Sequence, residues 1–273
     1  MNKEEYLISG FKSSKIGDDG AVVGQSVYSK DLFCEDIHFK LSWMSLKQIA
    51  RKSMLVNISD AIAMNAKPQY ALIGLVVPSC FSLTQINELS LGFKEITKEF
   101  NFEIIGGDTT SGKKLMISIT IISKTKKPVY RKDMKSGDLI AYTGELGNSK
   151  KELTKLLRGG KSSSKSRFIA PNLKADFFYE ASKHINAGLD ISDGLSKDLS
   201  RLCKSSGSLG VKFNKNISKK VLCSGEEYEM LFSFSPSKLE KIKSIAKKHR
   251  TKITVFAKAC RGKYTSTCKE NHF

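Results

Sequence analysis

A chain of 273 residues with 40% hydrophobic content can bury two ordinary cores or one large one. Its net charge of +19 raises the question of nucleic acid, but the charge is carried by 39 Lys against seven Arg, scattered in short groups such as Lys113-Lys114 and Lys219-Lys220. That is the pattern of a solvated surface and not of an Arg-led base reader, so no specific nucleic-acid partner is expected.

Residues 21–23 and 27–34 read as a hairpin around Gly24-Gln25-Ser26, rich in Val, Tyr and Phe. Ser45 caps a helix over 46–66, with Ile49, Met54, Ile58, Ile62 and Met64 as its apolar stripe and Pro68 beyond its end. A strand over 69–77 follows. Ser82-Leu83-Thr84-Gln85 is a capping box opening a helix to about residue 100, and strands over 103–105 and 115–122 bracket a polar loop. In the second half, 138–143 predicts a strand, followed by a helix ending at Arg158-Gly159-Gly160 and a Gly, Ser and Lys-rich flexible loop over 159–166. Helices over 173–184, 195–205 and 237–249 and strands over 230–234 and 252–257 complete the pattern. Strands and helices mix without strict alternation, which predicts an α+β fold.

No apolar run approaches the ~20 residues of a membrane span. The charged start Met1-Asn2-Lys3-Glu4-Glu5 is unlike an export signal, so a cytoplasmic protein without a membrane partner is expected. The six cysteines show no CxxC pair and are expected to be reduced.

Aspartates recur in short polar motifs that interrupt apolar segments: Ile16-Gly17-Asp18-Asp19, Asp31 in a strand, Asn57-Ile58-Ser59-Asp60, Gly106-Gly107-Asp108-Thr109-Thr110 and Asp190-Ile191-Ser192-Asp193-Gly194. Singly, each suits a turn, a polar helix face or a cap. Asp60 does not, because it sits among Val56, Ile58, Ala61 and Ile62, where a buried carboxylate needs a partner. Together they form a set of hard oxygen ligands without histidine or thiolate, which suits Mg²⁺ and phosphate chemistry. Gly107 to Lys113 approximates a nucleotide triphosphatase phosphate loop, but Lys114 stands where a hydroxyl should be and a strand follows instead of a helix.

The ordered set of these motifs, with Glu35-Asp36-Ile37-His38-Phe39, Ser224-Gly225-Glu226-Glu227-Tyr228-Glu229 and the closing His272-Phe273, resembles the bacterial thiamine-monophosphate kinase family over nearly the whole chain. At the superfamily level the resemblance extends to aminoimidazole ribonucleotide synthetase, selenophosphate synthetase and the hydrogenase-maturation dehydratase. It implies a two-domain aminoimidazole ribonucleotide synthetase-like fold. Residues 1–135 would bind Mg²⁺ and ATP and supply dimer-forming strands, and residues 136–273 would complete the ATP and substrate site. The implied activity is ATP-dependent phosphorylation of thiamine monophosphate to thiamine diphosphate by direct in-line transfer, in a homodimer using several Mg²⁺ ions. By the same resemblance, Asp19, Ser29, Lys30, Asp31, Asp60, Asp108, Asp190 and Asp193 hold metal, with Asp60 and Asp108 central to catalysis. Gly107, Arg131 and Ser192 contact ATP, and His38 and Glu226 contact the thiamine phosphate. The chain departs from the family at Lys30, where a threonine is usual, at Ser224 and Glu227, and at Glu270, where an aromatic ring usually packs on the substrate. The alternatives are another ATP-dependent member of the superfamily, or a non-catalytic basic protein that binds nucleic acid.

Overall fold

The computed structural model describes residues 3–269; Glu270 and the closing His272-Phe273, on which part of the acceptor site was expected, lie outside them. Among the described residues no helix is long and apolar enough to cross a membrane. After a short helix α1 (Lys3–Ser9), the chain forms β1 (Ala21–Val23), β2 (Ser26–Cys34), α2 (Leu46–Ala63), β3 (Lys67–Pro78), α3 (Leu83–Phe100), β4 (Glu103–Gly112) and β5 (Met116–Lys124). These strands make one sheet in the order β1-β2-β5-β3-β4, antiparallel except for the parallel pair β3 and β4.

The second sheet contains β6 (Leu139–Thr143), β7 (Ala187–Asp190), β8 (Gly210–Phe213), β9 (Met230–Phe234) and β10 (Ile253–Cys260) in the order β7-β9-β6-β10-β8. Its neighbours are antiparallel throughout. Helices α4 (Asn148–Leu157), α5 (Ala175–Ala181), α6 (Leu195–Ser205), α7 (Lys219–Leu222) and α8 (Leu239–Lys248) connect its strands. The expected α+β class is what the chain adopts.

Helix α2 is the keystone between the sheets. Both expected capping boxes are formed, Ser45 with Gln48 on α2 and Ser82 with Gln85 on α3. Helix α2 stops three residues before its expected end, because Asn65 takes the left-handed conformation (φ 52°). It is buried on nearly every face: Ile49, Met54, Ile58 and Ile62 are sealed in a core that also contains Ile117 and Ile119 of the first sheet and Phe177, Phe178 and Phe232 of the second unit. Burial on this scale stabilises by roughly 1.5–3 kcal/mol per large side chain. It also brings the polar residues of α2 to the junction of the two sheets.

Several elements differ from the sequence reading, among them the short helices α1 and α7 and strand β8, which were not foreseen. The polar segment expected as a loop after residue 105 continues as strand β4 to Gly112, paired with β3 along the sheet edge. Strand β7, four residues with two small side chains, was not foreseen, and it carries Asp190. The Gly, Ser and Lys-rich segment after α4 is irregular, as expected, and Ser162 ties it to that helix by donating to Glu152 at 2.7 Å.

The expectation of reduced thiols also fails for one pair. Cys223, at the end of α7, and Cys268, near the chain end, form a disulfide between residues 45 apart in sequence, while Cys34, Cys80, Cys203 and Cys260 are free. The pairing is tertiary, so spacing carried no signal of it. Alkylation of denatured protein without reductant is expected to label four thiols, and six after reduction. Six labels without reductant would rule the bridge out.

Candidate active site

Strand β2 alternates strictly. Val27, Ser29, Asp31 and Phe33 point toward α2, while Tyr28, Lys30 and Leu32 point to the opposite face. Ser29 Oγ donates to Asn57 Oδ1 on α2 at 2.5 Å, and Asn57 Nδ2 donates to the Ile119 carbonyl of β5 at 2.9 Å, which fixes helix to sheet beside Asp60. The Lys30 ammonium lies on the outer face and donates to Ser118 Oγ.

Asp60 projects from the buried face of α2, Asp19 from the turn before β1, and Asp190 from the last position of β7. One carboxylate oxygen from each lies within 4.8 Å of the other two. Ser59 Oγ donates to Asp190 Oδ2 at 2.7 Å, so consecutive residues of one helix hold or supply the group. Burial and repulsion from Asp31, Asp190 and Asp19 hold the Asp60 carboxyl well above the ordinary aspartate range. Asp190 is raised for the same reasons, with Asp19 its largest charged neighbour. Asp31 is pushed up to about 6 by burial and by Asp19, against a lowering from Lys30. Like charges packed this closely without a cation are costly.

Arg131 opens a turn after β5, and its guanidinium pairs with Asp19 while Nη1 donates to the Gly17 carbonyl at 3.3 Å. Its backbone N–H donates to Asp18 at 2.7 Å. Two buried polar atoms here have no hydrogen-bond partner: Asp19 Oδ2 and Arg131 Nε. An orphaned carboxylate oxygen within a carboxylate group fits a hard divalent cation, and an orphaned guanidinium donor beside it fits an anion.

Asp193 follows β7 and is paired with Arg201 of α6. Arg201 also binds Asp198 at 2.8 Å, and Asp198 accepts from the N–H groups of Asp193 and Gly194 at 3.1 and 3.0 Å. Asp198 is fully buried and raised to about 7, chiefly by burial. It is a buried support that sequence reasoning missed; its one signal was an acid in the first turn of α6. The Ser192 carbonyl accepts from the Glu226 N–H at 2.7 Å, linking the two motifs of the second unit.

Asp108 stands apart from the carboxylate group. It is exposed on β4, and its Oδ1 accepts from the Thr109 N–H at 2.8 Å. The register aligns Asp31, Ile119, Ile73 and Gly107 across β2, β5, β3 and β4. Gly107 is thus three strand spacings, roughly 14 Å, from Asp31. Only glycine fits at Gly107, where a Cβ would lie 1.9 Å from the Ile73 carbonyl oxygen.

His38 and Glu226, the expected acceptor contacts, are linked through Phe33 and Lys52. His38 stacks on Phe33 with centroids 5.4 Å apart. Its Nδ1 accepts from the Cys34 N–H at 3.0 Å, which leaves the proton of the neutral ring on Nε2. Lys52, buried in α2, contacts Phe33 and binds Glu226. Glu227 caps α4, accepting from the Gly147 N–H at 2.7 Å. Glu229 is buried against Arg167 and Thr143. These two acids therefore build the scaffold around Glu226.

Comparison with known proteins identifies the family. Residues 17–125 match the family described as AIR synthase related protein, N-terminal domain. The thiamine-monophosphate kinase of Nitrosopumilus maritimus (strain SCM1) is 32% identical over 248 residues, covering 84% of this chain and 79% of that protein. The thiamine-monophosphate kinase of Leptospira interrogans serogroup Icterohaemorrhagiae serovar Lai (strain 56601) is 33% identical over 237 residues, covering 79% and 76%. A solved structure of AaThiL complexed with AMPPCP and TMP shares the fold, with a TM-score of 0.85 at 24% identity over 96% of this chain and 90% of that one. With this identity sustained over more than two thirds of its relatives' length, the chain belongs to the thiamine-monophosphate kinase family.

Proposed function

We propose that this protein transfers the γ-phosphoryl group of ATP to thiamine monophosphate, giving thiamine diphosphate in one in-line step. The observation that carries the reading is the buried Asp19, Asp60 and Asp190 group with its orphaned carboxylate oxygen, beside an arginine with an orphaned donor. The acceptor is itself a phosphate oxygen, ionised at neutral pH, so the protein needs no strong base; positioning and charge neutralisation supply the catalysis. Asp19, Asp31, Asp60 and Asp190 would hold Mg²⁺, with Ser29, the Lys30 carbonyl, Asp108 and Asp193 as further ligands. Mg²⁺ held there neutralises charge on the transferring group.

The protein's own groups then act in named roles. Arg131 donates to phosphate oxygens, and Gly107 and Ser192 let backbone approach the nucleotide. His38 donates from Nε2 to the acceptor phosphate, and Glu226 faces the cationic thiamine moiety. We assign residues 1–135 to the metal, ATP and dimerisation unit and 136–273 to the unit that completes the site. The outer face of the first sheet exposes Tyr28, Leu32, Tyr70 and Leu72, an apolar surface suited to a second copy. A cytoplasmic location follows from the need for ATP.

The deciding experiment is a coupled assay of ADP release with thiamine monophosphate, thiamine and aminoimidazole ribonucleotide precursors as acceptors. Turnover with thiamine monophosphate alone is expected, and turnover only with another acceptor would move the chain elsewhere in the superfamily.

The metal assignment has its own test. A carboxyl whose folded pKa is raised contributes stability that is present below its unfolded value and lost as pH rises through the folded one. For metal-free protein that loss runs from 3.8 up through about 6 for Asp31, and the raised Asp60 and Asp190 carboxyls act in the same direction. Mg²⁺ binds the ionised form, so the rise in Tm on adding it should be larger at pH 8 than at pH 5.5. An equal rise at both values would count against a site at these carboxylates.

A further inference from the structure

Lys52 is out of place for a surface lysine. It lies on α2 two turns before Asp60, and its side chain is fully buried. Its ammonium sits 3.7 Å from the ring centroid of Phe168 and 5.7 Å from that of Phe33, and it binds Glu226 Oε2 at 2.6 Å. A buried lysine of this kind is an expensive way to stabilise a fold, since an apolar side chain of similar volume often does as well or better. Its position calls for another explanation.

Glu226 supplies one. Its backbone is held in the left-handed region, φ 54°, which is unfavourable for glutamate. Two hydrogen bonds impose it: the Glu226 N–H donates to the Ser192 carbonyl at 2.7 Å, and Ser149 Oγ donates to the Glu226 carbonyl at 2.6 Å. Only the side-chain torsions remain to be set, and Lys52 sets them by engaging Oε2. Among the described residues no hydrogen bond reaches Oε1, and the side chain is 27% exposed, so the second oxygen is open to a ligand. The ring of Phe33 that flanks Lys52 is the same ring on which His38 stacks at 5.4 Å. One buried cation and one ring thus couple the two acceptor contacts, which come from loops in different halves of the chain.

We propose that Lys52 is a positioning residue for the acceptor, holding Glu226 Oε2 so that Oε1 is presented to the cationic or amino face of the thiamine phosphate. This rests on the reading of Glu226 as an acceptor contact. The aromatic contacts give Lys52 its own fixed position, since a desolvated ammonium over a ring face is attracted to it. Without Lys52, Glu226 regains rotamers that lead into water.

The test is a set of four variants, Lys52→Met, Lys52→Arg, Glu226→Gln and the Lys52→Met, Glu226→Gln double, with KM for thiamine monophosphate and for ATP, kcat and Tm measured for each. Lys52→Met keeps an apolar stem between the two rings and is expected to leave Tm unchanged or higher. Its acceptor KM should rise about tenfold, the scale of one charge-assisted hydrogen bond, with the ATP KM unchanged. Lys52→Arg should recover most of the loss, and the double variant should be no worse than Glu226→Gln alone. If Glu226→Gln raises the acceptor KM while folded Lys52→Met does not, the Lys52 proposal is overturned and the reading of Glu226 stands. If Glu226→Gln leaves the acceptor KM unchanged, that reading falls and the proposal with it. Additive effects in the double variant, equal changes in both KM values, or a Lys52→Met protein that does not fold would each assign Lys52 a purely structural role and overturn the proposal.

Discussion

Asp60→Asn is expected to reduce phosphoryl transfer by about 10³-fold, the equivalent of roughly 4 kcal/mol of lost transition-state stabilisation. Asp60 contributes to a close set of three carboxylates, and its carboxyl is held well above the ordinary range by burial first and by three acidic neighbours besides. The amide keeps the shape and removes the charge, so the variant should fold. It should do more than fold. In the metal-free protein the substitution relieves repulsion among Asp19, Asp31 and Asp190, and Tm should rise by a few degrees, about 2–4 °C for each kcal/mol gained. Lower activity with higher metal-free stability is the signature of a strained metal site and not of a damaged fold. Normal turnover in the folded variant would remove Asp60 from the mechanism. A lowered Tm would mean that the carboxylate serves the fold through partners other than its acidic neighbours.

Asp60 was legible in the sequence because an aspartate inside an apolar helix conflicts with its surroundings, and such local conflicts concentrate at functional sites. Strands β2 and β5 were legible because alternation survives in them: Ile117, Ile119 and Ile121 are buried on one side of β5, as Val27, Ser29 and Phe33 are on β2. Strand β4 was not. Glu103 to Gly112 has no buried face, so nothing selects apolar residues at alternate positions, and its strand form is imposed by pairing with β3. Lys52 was invisible for a different reason. Among 39 lysines it reads as one more solvated charge, and the helix that carries it is too buried all round to show a polar face it could violate. Its only signal was its place one turn after Ile49 on the apolar side of α2. The separation of Asp108 from the other acids is a property of strand order, which the sequence does not state; the motifs gave their identity and not their distances.

Gly107→Ala is expected to have the second large effect, and Gly106→Ala is its control. The two glycines share a φ of 159°, so a difference between the variants reports contact and not backbone preference. At Gly106 an added Cβ meets only Leu72 Cδ2 at 3.5 Å, an ordinary contact. At Gly107 it would lie 1.9 Å from the Ile73 carbonyl oxygen and 2.8 Å from the carbonyl carbon. A backbone cannot yield as a side chain does, so β4 must move away from β3. The register already shifts there, with Ile104 opposite Ala71 and Gly106 opposite Leu72, and among the described residues β4 has no partner on its other side to hold it. The displaced segment carries Asp108 and Thr109 with it. A shift of about 1 Å in a positioning group costs on the order of 10²-fold in rate, and the clash itself should cost about 3 kcal/mol. The alanine variant at Gly107 should therefore lose about 10²-fold in turnover, bind ATP more weakly and melt several degrees lower, while the variant at Gly106 stays near wild type. Measuring KM for ATP, kcat and Tm for both decides it. Equal behaviour of the two variants would show that the approach of β4 to Ile73 does not position the nucleotide, and would leave Asp108 without a role in binding it.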